Sequence, residues 1–220
     1  MSTATVESAP LRVSMPTPSY PVVPGTPGLV ESIQALAPVS GTCIFIDVTG
    51  STAMKNTRTA AQWIILLSNC FGDAKDGLRP FPLLKTIGDE LMYFIEDKDL
   101  VAEGYNHFQI YDALWQIAVQ ESSNYPDVKI SAAWCDDVYP VTFIPGQQDY
   151  YGLGIDLTAR LMKHATTKQV VIDSRLHERV MQGVTPTGTS AQHASIASLR
   201  GPQKVQPVGI ASPVQIFVGS

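Results

Sequence analysis

The chain has 220 residues, 45% of them apolar and 16% charged, which suffices for one well-buried core with at most an appendage. Its formal net charge of −5 excludes broad, non-specific nucleic-acid binding, because that needs a basic surface. Three widely spaced cysteines, Cys43, Cys70 and Cys135, form neither a zinc pattern nor a disulfide framework, so a reducing, intracellular compartment is the simplest reading.

The opening "MSTATVESAPLRVS" carries Glu7 and no long apolar run, and does not read as a signal peptide. No segment approaches the roughly 18 apolar residues that a spanning helix needs. A soluble, cytoplasmic protein with no membrane partner is expected. Residues 1–40 hold seven of the sixteen prolines. Proline fixes φ and lacks an N–H, so this stretch is expected to be an N-terminal arm, extended or disordered, free or packed across a partner subunit.

Order begins at Gly41. "TCIFID" predicts a strand and "AAQWIILLSNCF" a helix. "PLLKTI", "GD" and "ELMYFIE" predict a hairpin, with Gly88 supplying positive φ in a two-residue turn. "LVAEGYNHFQIYDALWQIAVQE" has the period of one long helix, "VKISAAWC" predicts a strand, and "DDVYPVTFI" its hairpin partner. "LGIDLTARLMKHA" predicts a helix, "QVVID" a strand, and "SRLHERVMQ" a helix capped by Ser174. A Thr/Ser/Gly/Gln-rich connection leads to a closing strand, "SPVQIFV". The order β-α-β-β-α-β predicts an α/β (α+β) fold with a ferredoxin-like core, extended by a C-terminal helix and strands.

Two acids stand at strand ends. Asp47 ends "IFID" and Asp89 lies in the hairpin turn. Each alone fits an ordinary cap or turn. Neighbouring strands of a ferredoxin-like sheet can bring them together, and a carboxylate pair completed by phosphate oxygens suits Mg²⁺ or Mn²⁺. Gly50, Ser51 and Thr52 follow the first acid, and a glycine turn entering a helix offers backbone N–H groups to phosphate. Glu90 is expected on the other face of its strand and is left out. Lys85 and Asp149 read individually as surface residues. Asp156 and Arg160, spaced i,i+4, read individually as a helical salt bridge.

"FIDVTGST", "KTIGDELMYF" and "DYYGLGIDLTARL" together resemble the class III nucleotidyl cyclases, in the family's order, from about Gly41 to the end. The closing "LRGPQKVQPVGIASPVQIFV" looks like that family's final strand pair. The resemblance implies a catalytic domain over residues 41–220, working as a homodimer with active sites at the subunit interface. It implies two divalent ions per site, Mn²⁺ or Mg²⁺, at Asp47, Val48 and Asp89. Lys85 and Asp149 match the pair that contacts the base, and Arg160 the arginine that stabilises the transition state. Lys129 falls where a triphosphate-binding arginine is common, and Arg200 is a further phosphate candidate. Asp156 replaces the usual asparagine, and an ionised acid cannot donate to ribose or phosphate, although it can orient Arg160. Ser131 and Cys135 stand where the family's strand carries glycines, which predicts an altered pocket.

The reaction so implied converts a nucleoside triphosphate to its 3′,5′-cyclic monophosphate and pyrophosphate. A lysine donor beside an aspartate acceptor can serve adenine, cytosine, uracil or guanine, although the pair is the family's usual adenine signature. The compact chain, proline-rich arm, lost glycines and "GIDLTARL" look most like the bacterial Pycsar pyrimidine cyclases of antiphage defence. That resemblance implies UTP, or else CTP, as substrate, with cyclic UMP or cyclic CMP acting on a downstream effector. An adenylate cyclase making cyclic AMP is the alternative, followed by a catalytically silent nucleotide-binding module.

Overall fold

A continuous apolar run, Cys43 to Ile46, lies at the centre of the strand Val39–Val48 on which the molecule is built, and it is buried on both sides. The computed structural model describes residues 15–121, 126–184 and 190–220. Its strands are β1 (Tyr20–Pro21), β2 (Val39–Val48), β3 (Lys85–Ile87), β4 (Glu90–Glu96), β5 (Val128–Val138), β6 (Val141–Thr142), β7 (Val170–Asp173), β8 (Arg200–Val205) and β9 (Val214–Gly219). Seven form one sheet in the order β3-β4-β2-β5-β7-β9-β8. Within it β3-β4-β2-β5 is the ferredoxin-like order, with β2 antiparallel to both neighbours.

Period-two alternation divides the core. Ile44, Ile46 and Val48 share one face with Leu91, Tyr93 and Ile95, packed beneath α3 (Ala60–Gly77) and α5 (His107–Val119). Cys43 and Phe45 share the other face with Met92, Phe94 and Ala133, packed against α6 (Leu153–Leu161). Both α3 and α5 start with reciprocal capping boxes, Thr59 with Gln62 and Asn106 with Gln109. The remaining helices are α1 (Leu29–Gln34), α2 (Ser51–Thr57), α4 (Asp97–Ala102), α7 (Ser174–Gly183) and α8 (Ser190–Ser198). No helix among the described residues is long and apolar enough to cross a membrane.

Several local expectations are corrected. The long helix expected from Leu100 is two, α4 and α5, because Gly104 at φ +74° breaks the first and Asn106 caps the second. "DDVYPVTFI" is not a hairpin partner of β5, whose two edges are already taken by β2 and β7. Instead β5 runs on to Val138, and Val141–Thr142 pairs in parallel with Tyr20–Pro21. Asp173, not Ser174, caps α7, its carboxylate accepting from the Leu176 N–H. Part of the expected C-terminal connection is α8, while 185–189 lie outside the described residues. From residue 15 onward the arm contains α1 and lies against its own chain.

Candidate active site

Register assembles the first group. Asp47, at the end of β2, stands opposite Lys129 of β5 on one side and Glu90 of β4 on the other. Directly opposed residues share a face, so the three side chains form one row. Lys129 Nζ lies 3.1 Å from Asp47 Oδ2. Burial, then the charge of Asp47, pushes Glu90 up to about 7, with Asp89 adding to the effect and Lys129 opposing it. Register thus puts Glu90 on the face of Asp47, where the sequence places it on the other. Alternation does not run through Asp89, which sits in the turn, and the register with β2 alone decides where Glu90 faces.

The turn supplies the second group. Gly88, at φ +65°, allows the two-residue connection whose flanking pair is Ile87 and Glu90. Asp89 accepts a hydrogen bond from the Ser51 hydroxyl and lies 3.7 Å from Lys55 Nζ. The Val48 N–H donates to the Asp89 carbonyl at 3.4 Å. These contacts hold the turn against the end of β2. Gly50, at φ +71°, opens α2 without a side-chain cap, and Thr52 is exposed on its first turn. Lys55 was not anticipated, although its i,i+4 spacing from Ser51 places both on one face of α2.

Asp47 and Asp89 are hard oxygen donors flanking one strand end, with Glu90 directly opposite Asp47 in the sheet. Among the described residues no group of three or more His, Cys, Asp or Glu is arranged for a metal. Mg²⁺ needs only one or two carboxylates when substrate phosphates and water complete its shell, so these donors fit such an ion.

Lys85 and Asp149 meet. Lys85 Nζ lies 2.7 and 2.9 Å from the two carboxylate oxygens, and 5.8 Å from the Tyr151 ring centre. Lys85 stands opposite Met92, on the same sheet face as Glu90. Arg160 is elsewhere, in the last turn of α6. It borders a cavity of about 370 Å³ with Lys163, His164, Gln206, Val208 and Gly209, and its Nε is buried without a hydrogen-bond partner among the described residues. Asp156 is exposed and makes no ion pair with Arg160, so the simple helical salt bridge is not formed. Arg200, exposed on β8, donates to the carbonyls of Ala197 and Leu199. No hydrogen bond or ion pair joins Arg160, Asp156 or Arg200 to the strand-end groups.

Ser131 and Cys135 do not line an open pocket. Both are buried, and the Ser131 hydroxyl donates to the Thr158 carbonyl of α6 at 2.8 Å. A Cβ on Gly154 of α6 would stand 2.5 Å from Cys135 Sγ. Their side chains set how closely α6 approaches β5.

No protein-family model and no curated protein matches the chain. Solved structures do. The adenylyl cyclase CyaB from P. aeruginosa superposes with a TM-score of 0.61 at 16% identity, covering 83% of this chain and 94% of that one. The guanylyl cyclase Cya2 gives 0.61 at 18%, covering 84% and 93%. An adenylate cyclase from Trypanosoma brucei, solved in its monomeric state, gives 0.62 at 13%, covering 82% and 87%. The chain thus has the mixed α+β fold of the class III cyclase catalytic domains.

Proposed function

We propose that this protein is a metal-dependent nucleotidyl cyclase. The observation that carries the reading is the coincidence, on a cyclase fold, of the Asp47–Lys129 and Asp89–Ser51 contacts at one strand end with a closed Lys85–Asp149 pair. In the proposed reaction the ribose 3′-oxygen attacks the α-phosphorus, a new P–O bond closes the ring, and pyrophosphate leaves. Asp47, Asp89 and the backbone at Val48 would hold Mg²⁺ or Mn²⁺, which supplies acidification of the 3′-hydroxyl and neutralisation of phosphate charge. Lys129 and the N–H groups after Gly50 bind phosphate oxygens, while Thr52 and Arg200 are outlying phosphate candidates. Arg160 stabilises charge developing in the transition state, and Asp156, which makes no contact with it, has no orienting part in this structure.

Arg160 borders a cavity whose lining includes neither Asp47 nor Asp89, and it contacts neither acid. This supports a homodimer in which one chain supplies the carboxylates and its partner supplies Arg160. For the base, the sequence resemblance favours a pyrimidine, UTP before CTP, with the cyclic product signalling to an effector in antiphage defence. The intact Lys85–Asp149 contact favours a second reading, ATP and cyclic AMP.

The test is to incubate the purified protein with Mn²⁺ and each of ATP, GTP, CTP and UTP, and to identify products by mass. A cyclic pyrimidine nucleotide supports the first reading, and cyclic AMP replaces it with the second. No cyclic product from any of the four overturns the assignment as a cyclase.

A further inference from the structure

We propose that Ser19, in the N-terminal arm, is a positioning residue for base selection, clamping the loop that carries Asp149. The proposal rests on the reading of Lys85 and Asp149 as base contacts.

One hydroxyl holds both backbone groups of one residue. Ser19 Oγ donates to the Asp149 carbonyl at 2.5 Å and accepts from the Asp149 N–H at 2.9 Å. The Ser19 N–H donates to Gln148 Oε1 at 3.0 Å, and Gln148 Nε2 returns a bond to the Thr17 carbonyl at 2.6 Å. With its backbone so fixed, the Asp149 carboxylate is aimed at Lys85 Nζ.

The arm is anchored on both sides of this clamp. On one side, Glu96 accepts from the Thr17 N–H and hydroxyl, each at 2.8 Å. The same carboxylate accepts from the Tyr150 hydroxyl at 2.7 Å and pairs with Lys98 at 3.1 Å, so it joins arm and loop at once. On the other side, the Tyr20 and Val22 N–H groups donate to the Pro140 and Thr142 carbonyls at 2.8 and 2.7 Å. The stretch between the two anchors therefore has little freedom, and the hydroxyl at its centre transmits that order to Asp149. A site built to hydrogen-bond a base edge discriminates only as well as its donor and acceptor are held.

Ser19→Val and Ser19→Thr in the full chain separate the hydroxyl from side-chain bulk, being nearly isosteric. Loss of the hydroxyl should raise KM for the preferred nucleotide roughly tenfold, the scale of one hydrogen bond, and leave kcat nearly unchanged. Preference among the four nucleotides should narrow, and Ser19→Thr should behave as wild type. Exchange of the Asp149 amide should accelerate in Ser19→Val while β5 amides keep their rates. A Ser19→Val protein with wild-type KM, preference and Asp149 exchange overturns the proposal, as does one whose kcat falls while its KM rises with Ser19→Thr, which keeps the hydroxyl, impaired equally. Should the wild-type chain turn over no nucleotide, the cyclase reading and base selection fail together, and Asp149 exchange alone then decides the clamp.

Discussion

Asp47 and Asp89 are the residues on which the proposed chemistry depends most. Asp47→Ala or Asp89→Ala should reduce turnover on the order of 10³-fold, because each removes oxygen donors for the cation. Both variants should stay folded, losing about 1–3 kcal/mol at most, because Asp47→Ala strips a partly buried Lys129 of its partner and Asp89→Ala does the same to the buried Ser51 hydroxyl. Turnover assays beside thermal melts check both halves, and an active, folded variant removes these acids from the mechanism. Glu96 makes a pH prediction. Burial raises its pKa, but the bonds from Thr17, Tyr150 and Lys98 more than offset this and hold it below its ordinary 4.5. A lowered folded-state pKa means that this stability is complete above the unfolded value and is lost as pH falls through the folded one. Wild-type melting temperature should therefore drop below pH 4.5 more steeply than that of Glu96→Gln, as melts across an acid series would show.

Among the elements, α6 and β5 meet through a close steric fit and a buried hydrogen bond. The side chain of Cys135 occupies space that Gly154 leaves open on the helix. Gly154→Ala should destabilise the protein by about 1–3 kcal/mol through overpacking, and adding Cys135→Gly should recover part of that loss. Denaturant titrations of the single and double variants give the coupling, and strict additivity would mean that this contact does not set the spacing. The same pair shows what was legible in advance. The strand "VKISAAWC" and the helix "LGIDLTARLMKHA" follow from their periods; both formed, the helix ending at Leu161 and tightening to a 3₁₀ turn over Met162–His164. That Ser131 bonds α6 rather than shaping a nucleotide pocket was not legible, because the partner carbonyl is 27 residues away.

At the scale of the whole molecule, the lack of any contact between Arg160 and the Asp47 group makes the strongest claim. Chains carrying Asp47→Ala and Arg160→Ala, each inactive alone, should recover roughly a quarter of wild-type activity when mixed, the statistical share of intact sites if dimers form at random and each combines residues from two chains. Verified mixed dimers without activity would mean that each site is built within one chain.

Local rules read along the chain gave the ferredoxin-like order, the Gly88 turn and the placement of Asp47 and Asp89 at strand ends, because each depends on a few adjacent residues. Pairing of Lys85 with Asp149 came from family resemblance, and only the folded chain shows the contact. Tertiary structure alone decided that Glu90 faces Asp47, that Asp173 outcompetes Ser174 as a cap, and that the arm folds back onto Asp149. The physical reason is common to these. Register, a competition between neighbouring caps, and hydrogen bonds spanning 130 residues depend on which surfaces the core brings together, and periodicity along a sequence carries no record of that.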